Sequence, residues 1–386
     1  MKVLILQGYA LDPLAGGVQR YTYLLSHALL KKGYEVIVFT LEKNNSYAHL
    51  DIQVLDANGS CESVKEFSKV IDKVRPNIII NQMAYESDYS CLLIKYPEIL
   101  KIAVLHNSLL SVLSNIEQYQ KQVVSKIFLP LESSGFVREL LKKYHIIRHR
   151  KALKNIFYCH DHFVMYAEPN KKELECFLPD YDARKVALIP LFLPERAVEI
   201  PLKKNKIIWV GRLEISQKRA DRILNVWKNI SSELQDWTLD VIGDGSMLDI
   251  LREQVRSEKI PRVTFHGKQD PKNFYSEAKI YFMTSDFEGF MYTIIEAQSY
   301  GVVPVVFDSF SVVRSILHDG KNGFIVPKGD VEKLSDKIIY LAKDSNKQYE
   351  MANESITNVS RYLEDVVIKK WINLFDLSVK CNIEKR

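Results

Sequence analysis

Short runs of β-branched and other apolar residues recur along this chain, each followed by a stretch whose apolar positions keep helical spacing. That alternation, repeated on both sides of one irregular segment, leaves few folds open. In the first part the runs are Val3–Leu6, Glu35–Thr40, Ile52–Leu55, Ile78–Ile80 and Ile102–Leu105. Between the first two, Val18, Tyr21, Leu24, Leu25, Ala28 and Leu29 recur every three or four residues and stop at Lys31-Lys32-Gly33, which predicts a helix from about Gly17. A second helix is expected over Ser63 to Val74. Strands alternating with helices in this way imply a parallel sheet covered on both faces. Residues 109–160 read as mostly helical, Phe163–Met165 as a strand, and Lys185–Leu193 as a strand closed by Pro194.

Arg196 to Asn205 then combines a proline, several charges and no periodicity, which marks a linker. After it the alternation restarts. Ile207–Val210, Thr238–Ile242, Val263–Phe265, Ile280–Thr284 and Val302–Phe307 read as strands, with helices over Ala220–Ile230, Met247–Glu258 and Val331–Ala342. A last helix, Leu363–Leu377, carries Trp371, Leu374 and Phe375 for packing. A chain of 386 residues suits two domains, placed here at 1–195 and 196–362, with 363–386 packing back on the first. With 47% hydrophobic and 26% charged residues, each domain can bury a core of its own.

Several classes drop out. No run of 18 apolar residues is present, and the apolar start Met1 to Gly8 is too short for a signal peptide. Cys61, Cys91, Cys159, Cys176 and Cys381 are odd in number and lack CxxC spacing, so neither a disulfide framework nor a zinc site is expected, and a reducing cytosol fits them. A net charge of +5 is too mild to suggest nucleic acid. The excess is uneven, however. Between Arg138 and Lys154 there are seven Lys or Arg, two His and one acid, Glu139, interleaved with Leu140, Leu141, Tyr144, Ile147 and Leu153. Such a helix can lie on an anionic membrane surface or simply be a solvated surface helix on the core, and the sequence favours neither reading. Expected location is therefore cytoplasmic, with the inner face of the cytoplasmic membrane as the alternative setting.

Four places could carry chemistry. A strand runs into the loop Gly8 to Gly17 and a helix follows, so Gly16 and Gly17 stand where backbone N–H groups can receive an anion. The spacing is not GxGxxG. Gly211-Arg212-Leu213 follows a strand, with Lys218 six residues after Arg212; an Arg fork and a Lys charge across one βα loop can grip a diphosphate. Further on, Glu288, Gly289, Phe290, Met291 and Tyr292 follow another strand. Glu296 sits eight residues after Glu288 in an otherwise apolar stretch, and a helix linking the two carboxylates would turn both to one side. His106 lies just past a strand end, where ligands of α/β sheets bind.

In this order the segments GGVQRYTYLLSHALLKKGYEVIVFT, LHNS, KVALIP, WVGRLEISQKRADRIL, DVIGDGS, FEGFMYTIIEAQSYGVVPVVF and DGKNGFIVP resemble the retaining glycosyltransferases of family GT4 over nearly the whole chain. The resemblance implies a GT-B fold: two Rossmann-like α/β domains facing a central cleft, the first on the acceptor side and the second binding the nucleotide sugar. It implies Arg212 and Lys218 on the diphosphate, Glu296 on the ribose hydroxyls, and Glu288 near the donor sugar. Gly289, Phe290, Met291 and Tyr292 would lie against phosphate or sugar, Gly16 and Gly17 would close over the phosphates, and His106 would stand near the transferred sugar. No metal or other cofactor is implied, so Gly243-Asp244-Gly245 needs no reading as a metal motif.

The wording QKRADRIL, DGSM and SDFEGF most resembles bacterial capsule and lipopolysaccharide enzymes. A hexosyltransferase using a nucleotide-diphosphate sugar, UDP-linked, on a glycan or lipid-linked acceptor is the expected function. Two departures bear on the donor: Met291-Tyr292 stands where the family usually has glycine, and Asp308-Ser309-Phe310-Ser311 replaces a Gly-Gly-x-Pro-Glu type loop. The rival reading is a catalytically weak or non-enzymatic sugar-binding protein on the same fold. The intact Arg212, Lys218 and Glu296 argue against it, and the missing GxGxxG argues against an NAD-dependent oxidoreductase.

Overall fold

A computed structural model describes residues 1–43, 52–57, 62–111, 135–197, 199–200 and 202–383. Residues 112–134 of the expected helical stretch, and Cys61, lie outside the described residues. The chain divides into two compact units, the first made of Met1–His106, Glu139–Pro194 and Glu364–Arg386, the second built on Glu195–Leu363.

The first unit runs β1 (Lys2–Gln7), α1 (Gly17–Lys31), β2 (Glu35–Thr40), β3 (Gln53–Asp56), α2 (Ser63–Val74), β4 (Ile78–Asn81), α3 (Ser87–Leu92), β5 (Leu100–Val104), α4 (Gly135–Cys159), β6 (His162–Met165), α5 (Glu168–Phe177) and β7 (Val186–Leu188). The second runs β8 (Lys206–Val210), α6 (Ile223–Ile230), β9 (Thr238–Ile242), α7 (Leu248–Ser257), β10 (Val263–Gly267), α8 (Lys272–Glu277), β11 (Ile280–Met283), α9 (Tyr292–Ser299), β12 (Val303–Phe307), α10 (Val313–Ile316), β13 (Phe324–Val326), α11 (Val331–Lys343) and α12 (Ser345–Val359). The last helix, α13 (Glu364–Ile383), belongs to the first unit.

Both sheets are parallel. The first has strand order β3-β2-β1-β4-β5-β6-β7 and the second β10-β9-β8-β11-β12-β13. In each, the order reverses beside the unit's first strand: between β1 and β4, and between β8 and β11. Loops leaving the carboxyl ends of the two strands at such a point diverge to opposite faces and leave a crevice for ligand. Val3, Leu4, Ile5 and Leu6 of β1 are fully buried, as are Ile207 and Ile208 of β8, which is why these strands read as unbroken apolar runs.

Three expectations shift. The strand expected over Lys185–Leu193 pairs only as Val186–Leu188, because Pro190 and Pro194 remove ladder donors, although Leu191, Phe192 and Leu193 stay buried as extended chain. Ala220–Arg222 is a 3₁₀ turn before α6. The irregular stretch after Glu195 is tied to the second unit, where Ala197 N donates to Ser299 O and Lys204 N to Glu277 O, each at 2.8 Å.

Helix α13 completes the first core. Val367, Trp371 and Phe375 are fully buried, and Trp371 Nε1 donates to Tyr21 Oη at 2.9 Å. Among the described residues no helix is long and apolar enough to cross a membrane.

Candidate active site

In the second unit the loop after β8 and the loop after β11 are fastened to each other residue by residue. Trp209 Nε1 donates to Thr284 Oγ1 at 3.0 Å, and that hydroxyl donates to Lys218 O at 2.8 Å. Asp286 N donates to Gln217 O at 2.8 Å. The Asp286 carboxylate, 4% exposed, takes Arg219 at 3.0 Å and Arg222 at 2.7 Å. Two guanidinium groups on one buried carboxylate satisfy its charge and lock the two loops in register.

On this frame Lys218 Nζ lies 2.6 Å from Glu288 Oε1, while Gln217 Nε2 donates to Glu288 Oε2 at 3.0 Å. Both partners are largely buried. An ammonium has three N–H donors, so the pairing with Glu288 aims Lys218 without exhausting it. Arg212 differs: its side chain is 62% exposed, and its nearest carboxylate is Glu214 at 3.8 Å.

The backbone that presents Arg212 rests on two glycines. Gly243 and Gly245 have φ of 143° and 152°, and a Cβ on either would meet Gly211 O at 1.8 Å or Leu213 O at 2.4 Å. Gly243-Asp244-Gly245 is therefore a support for the Gly211–Leu213 segment, with Leu213 N donating to Asp244 O at 2.9 Å.

Glu288 precedes α9 and Glu296 lies within it, so the eight-residue spacing is not one helical face. The condition under which both carboxylates would share one side, a helix joining them, is not met, because α9 begins only at Tyr292. Glu296 is buried in α9, with Tyr275 Oη 3.5 Å from its Oε2. Gly289, Phe290, Met291 and Tyr292 are all buried, and Met291 stands at the helix amino end, where no side chain caps the first N–H groups. Tyr281 Oη lies 2.8 Å from Thr293 Oγ1 and holds the first turn of α9 to its own strand, β11.

The first unit brings a different set to its switch point. Gly16 is extended and ends the loop after β1, and Gly17 opens α1 with no atom within 4 Å of where a Cβ would sit. No side chain caps the helix. Its exposed N–H groups and partial positive charge suit an anion.

Close by in the fold, Gln82 follows β4, His106 follows β5 and Tyr166 follows β6. His106 Nε2 is 2.8 Å from Gln82 Oε1, Thr22 of α1 donates to that same oxygen at 3.0 Å, and Tyr166 Oη bonds His106 Nδ1. With Gln82 Oε1 as acceptor, Nε2 carries the ring proton and Nδ1 accepts from the tyrosine. Burial pulls the His106 pKa down to about 4, so the ring is neutral at physiological pH. Both ring nitrogens are occupied by protein, and a sugar hydroxyl would have to replace one partner.

The structure thus brings Lys218 and Glu288 together, places Arg212 in the loop after β8 and Glu296 in the helix after β11, and leaves Gly16, Gly17 and His106 in the other unit. Sequence reasoning missed Gln217, Arg219, Arg222 and Asp286, and Gln82 and Tyr166 beside His106. Gln82, Tyr166 and Asp286 stand just past a strand's carboxyl end, whereas Gln217, Arg219 and Arg222 lie farther along between β8 and α6; their residue types alone say little.

Residues 195–358 match the family model described as glycosyl transferases group 1. The chain carries a group 1 glycosyltransferase domain. The chain is 24% identical over 362 residues to an uncharacterized glycosyltransferase of Haemophilus influenzae, covering 92% of this chain and 95% of that one. It is 26% identical over 195 residues to the poly(glycerol-phosphate) alpha-glucosyltransferase of Bacillus subtilis, a match to 50% of this chain and 29% of the relative. Among solved structures, the Anabaena protein HepE in complex with UDP-glucose superposes with a TM-score of 0.73 at 13% identity, over 97% of this chain and 99% of that one. The two parallel sheets are the Rossmann-like halves of the GT-B fold, as the sequence led one to expect.

Proposed function

We propose that the chain is a retaining hexosyltransferase that moves a hexose from a UDP-sugar to a glycan or lipid-linked acceptor in surface polysaccharide formation, at the inner face of the cytoplasmic membrane. The observation that carries this reading is that Arg212 and Lys218 lie in the loop after β8, while Glu288 lies in the loop after β11 and Glu296 in the helix that follows it, the two strands flanking the second sheet's switch point. In the proposed reaction the bond from the anomeric carbon to the diphosphate oxygen breaks as the acceptor oxygen bonds the same face. The acceptor proton passes to the departing phosphate oxygen. The diphosphate leaves as an anion, and Arg212, Lys218 and the amino end of α9 stabilise the charge that develops on it. No metal ion is needed for that task in this reading, and Glu296 holds the ribose hydroxyls.

A two-carboxylate scheme of the glycosidase kind fits poorly. Glu288 is spent on Lys218 and Gln217, and Glu296 is enclosed in α9. His106, neutral, would orient the sugar by hydrogen bonding and would not act as an acid.

Melting curves with UDP, GDP, ADP and their hexose conjugates, all with EDTA present, test the reading directly. Ligand that binds only the folded chain raises the melting temperature by mass action. The expected outcome is a rise with UDP and one UDP-hexose, and an α-linked product from the α-configured donor. No rise with any nucleotide would sink the proposal. Loss of transfer on chelation would sink its metal-free form.

A further inference from the structure

Helix α4 has two apolar sides. One faces the core: Leu153 and Ile156 are 3% and 2% exposed, with His145 and Cys159 beside them. The opposite side carries Leu140, Tyr144, Ile147 and Tyr158, exposed by 50%, 47%, 71% and 78%. They recur at intervals of four, three and eleven residues, which keeps them on one stripe of a helix. An isolated exposed leucine needs no explanation, but a file of four large apolar side chains along one helix does.

Around that stripe stand Lys143, Arg148, Arg150, Lys151 and Lys154, all exposed, and among the described residues none of them forms an ion pair with an acid. From Leu140 to Cys159 the helix contains no Asp or Glu. Protein–protein interfaces deplete lysine at their centre, whereas lysine and arginine flanking apolar and tyrosine side chains suit the boundary of an anionic bilayer. There the long stems stay among acyl chains while the ammonium groups reach the phosphates.

We infer that the outward face of α4 is a docking surface for an anionic lipid bilayer, entered by Leu140, Tyr144, Ile147 and Tyr158 and held by the surrounding bases. The inference deepens the proposed function by naming the surface that would bring this unit to a lipid-linked acceptor. Only that purpose rests on the transferase reading; the docking itself stands on the helix.

The test is flotation of the whole chain with vesicles of phosphatidylcholine alone or mixed with phosphatidylglycerol. Binding is expected to the mixed vesicles only, and to weaken as salt rises. Lys151→Gln and Lys154→Gln should each lower the apparent affinity about fivefold, the equivalent of about 1 kcal/mol per base. Ile147→Ser with Tyr158→Ser should lower it further, with an unchanged melting temperature, since both side chains point away from the core. Transfer to a soluble acceptor should be the same in all four substitutions, so lost vesicle binding with retained transfer separates this surface from the active site. Equal binding to both vesicle types, or binding untouched by the lysine changes, overturns the proposal. So does a dimer, formed without lipid, that Ile147→Ser with Tyr158→Ser dissociates, because the stripe would then be covered by a second copy. If no nucleotide binds but flotation succeeds, the function fails and the docking surface stands.

Discussion

Lys218 and Arg212 should answer differently to removal, because one is buried in a pair and the other is exposed. Lys218→Ala strands the Glu288 carboxylate with only Gln217, and stranding one partner of a buried pair costs about 3–5 kcal/mol. A clear drop in urea midpoint is expected together with the loss of transfer. Arg212→Ala removes a largely solvated side chain, so transfer should fall about 100- to 1000-fold while the urea midpoint barely moves. Parallel losses of stability and rate in Arg212→Ala would count against its place on the diphosphate. His160 makes a pH prediction of its own. The ring is 1% exposed and lies between Ile156 O at 2.9 Å and Asn81 Nδ2 at 3.0 Å, and burial brings its pKa from 6.5 to about 4. Between those values the unfolded chain holds a proton that the folded chain does not, so stability falls as pH drops through that window, by about 1.4 kcal/mol per pH unit. Urea titrations at pH 7 and pH 5 should show a smaller loss in His160→Gln than in the parent, and equal losses would refute the assignment.

At the scale of elements, what matters is how two loops are held at one switch point. The segment Gly211–Leu213 lies against the turn after β9 so closely that only glycine fits at 243 and 245. Gly243→Ala combines a backbone overlap with a positive φ and should cost at least about 2 kcal/mol. Because the displaced segment presents Arg212, the surviving folded fraction should also transfer more slowly. Full transfer per folded molecule, scored by active-site titration, would show that the support is not needed for catalysis. Arg219, at φ 50°, is the other strained point of the same loop, and its ion pairs with Asp221 and Asp286 hold it there.

The whole chain is organised so that its last helix closes the core begun by its first strand. Trp371 is fully buried and bonded to Tyr21, 350 residues earlier, and Lys31 meets Glu364 at 3.0 Å. Trp371→Ala should cost about 3–5 kcal/mol, with Tyr21 losing its partner as well. Truncation before Glu364 should therefore unfold the first unit and leave the second cooperative, since Glu195–Leu363 has a core of its own. Differential scanning calorimetry of the truncated chain would show one transition where the parent shows the sum; an unaltered profile would mean α13 is dispensable.

How much of this was legible beforehand depended on the kind of force involved. Unbroken apolar runs at Val3–Leu6 and Ile207–Val210 determined two parallel sheets, because a strand buried on both faces has no other composition open to it. The order of Gly16, Gly17, His106, Arg212, Lys218, Glu288 and Glu296 along the chain was likewise enough to suggest the chemistry. Which of those groups touch could not be read there. Lys218 and Glu288 are 70 residues apart, and His106 and Tyr166 are 60 apart; each pair meets only because parallel crossovers return separate strands to one edge. Whether a helix joins Glu288 to Glu296 could not be read there either: the spacing fits two helical turns, but α9 begins only at Tyr292 and Glu288 is tied to the loop after β8. The same holds for α4, where periodicity shows two apolar sides and only packing decides which one the core takes. Local pattern fixes what a segment can become, and long-range contact decides which of its faces and charges are left for function.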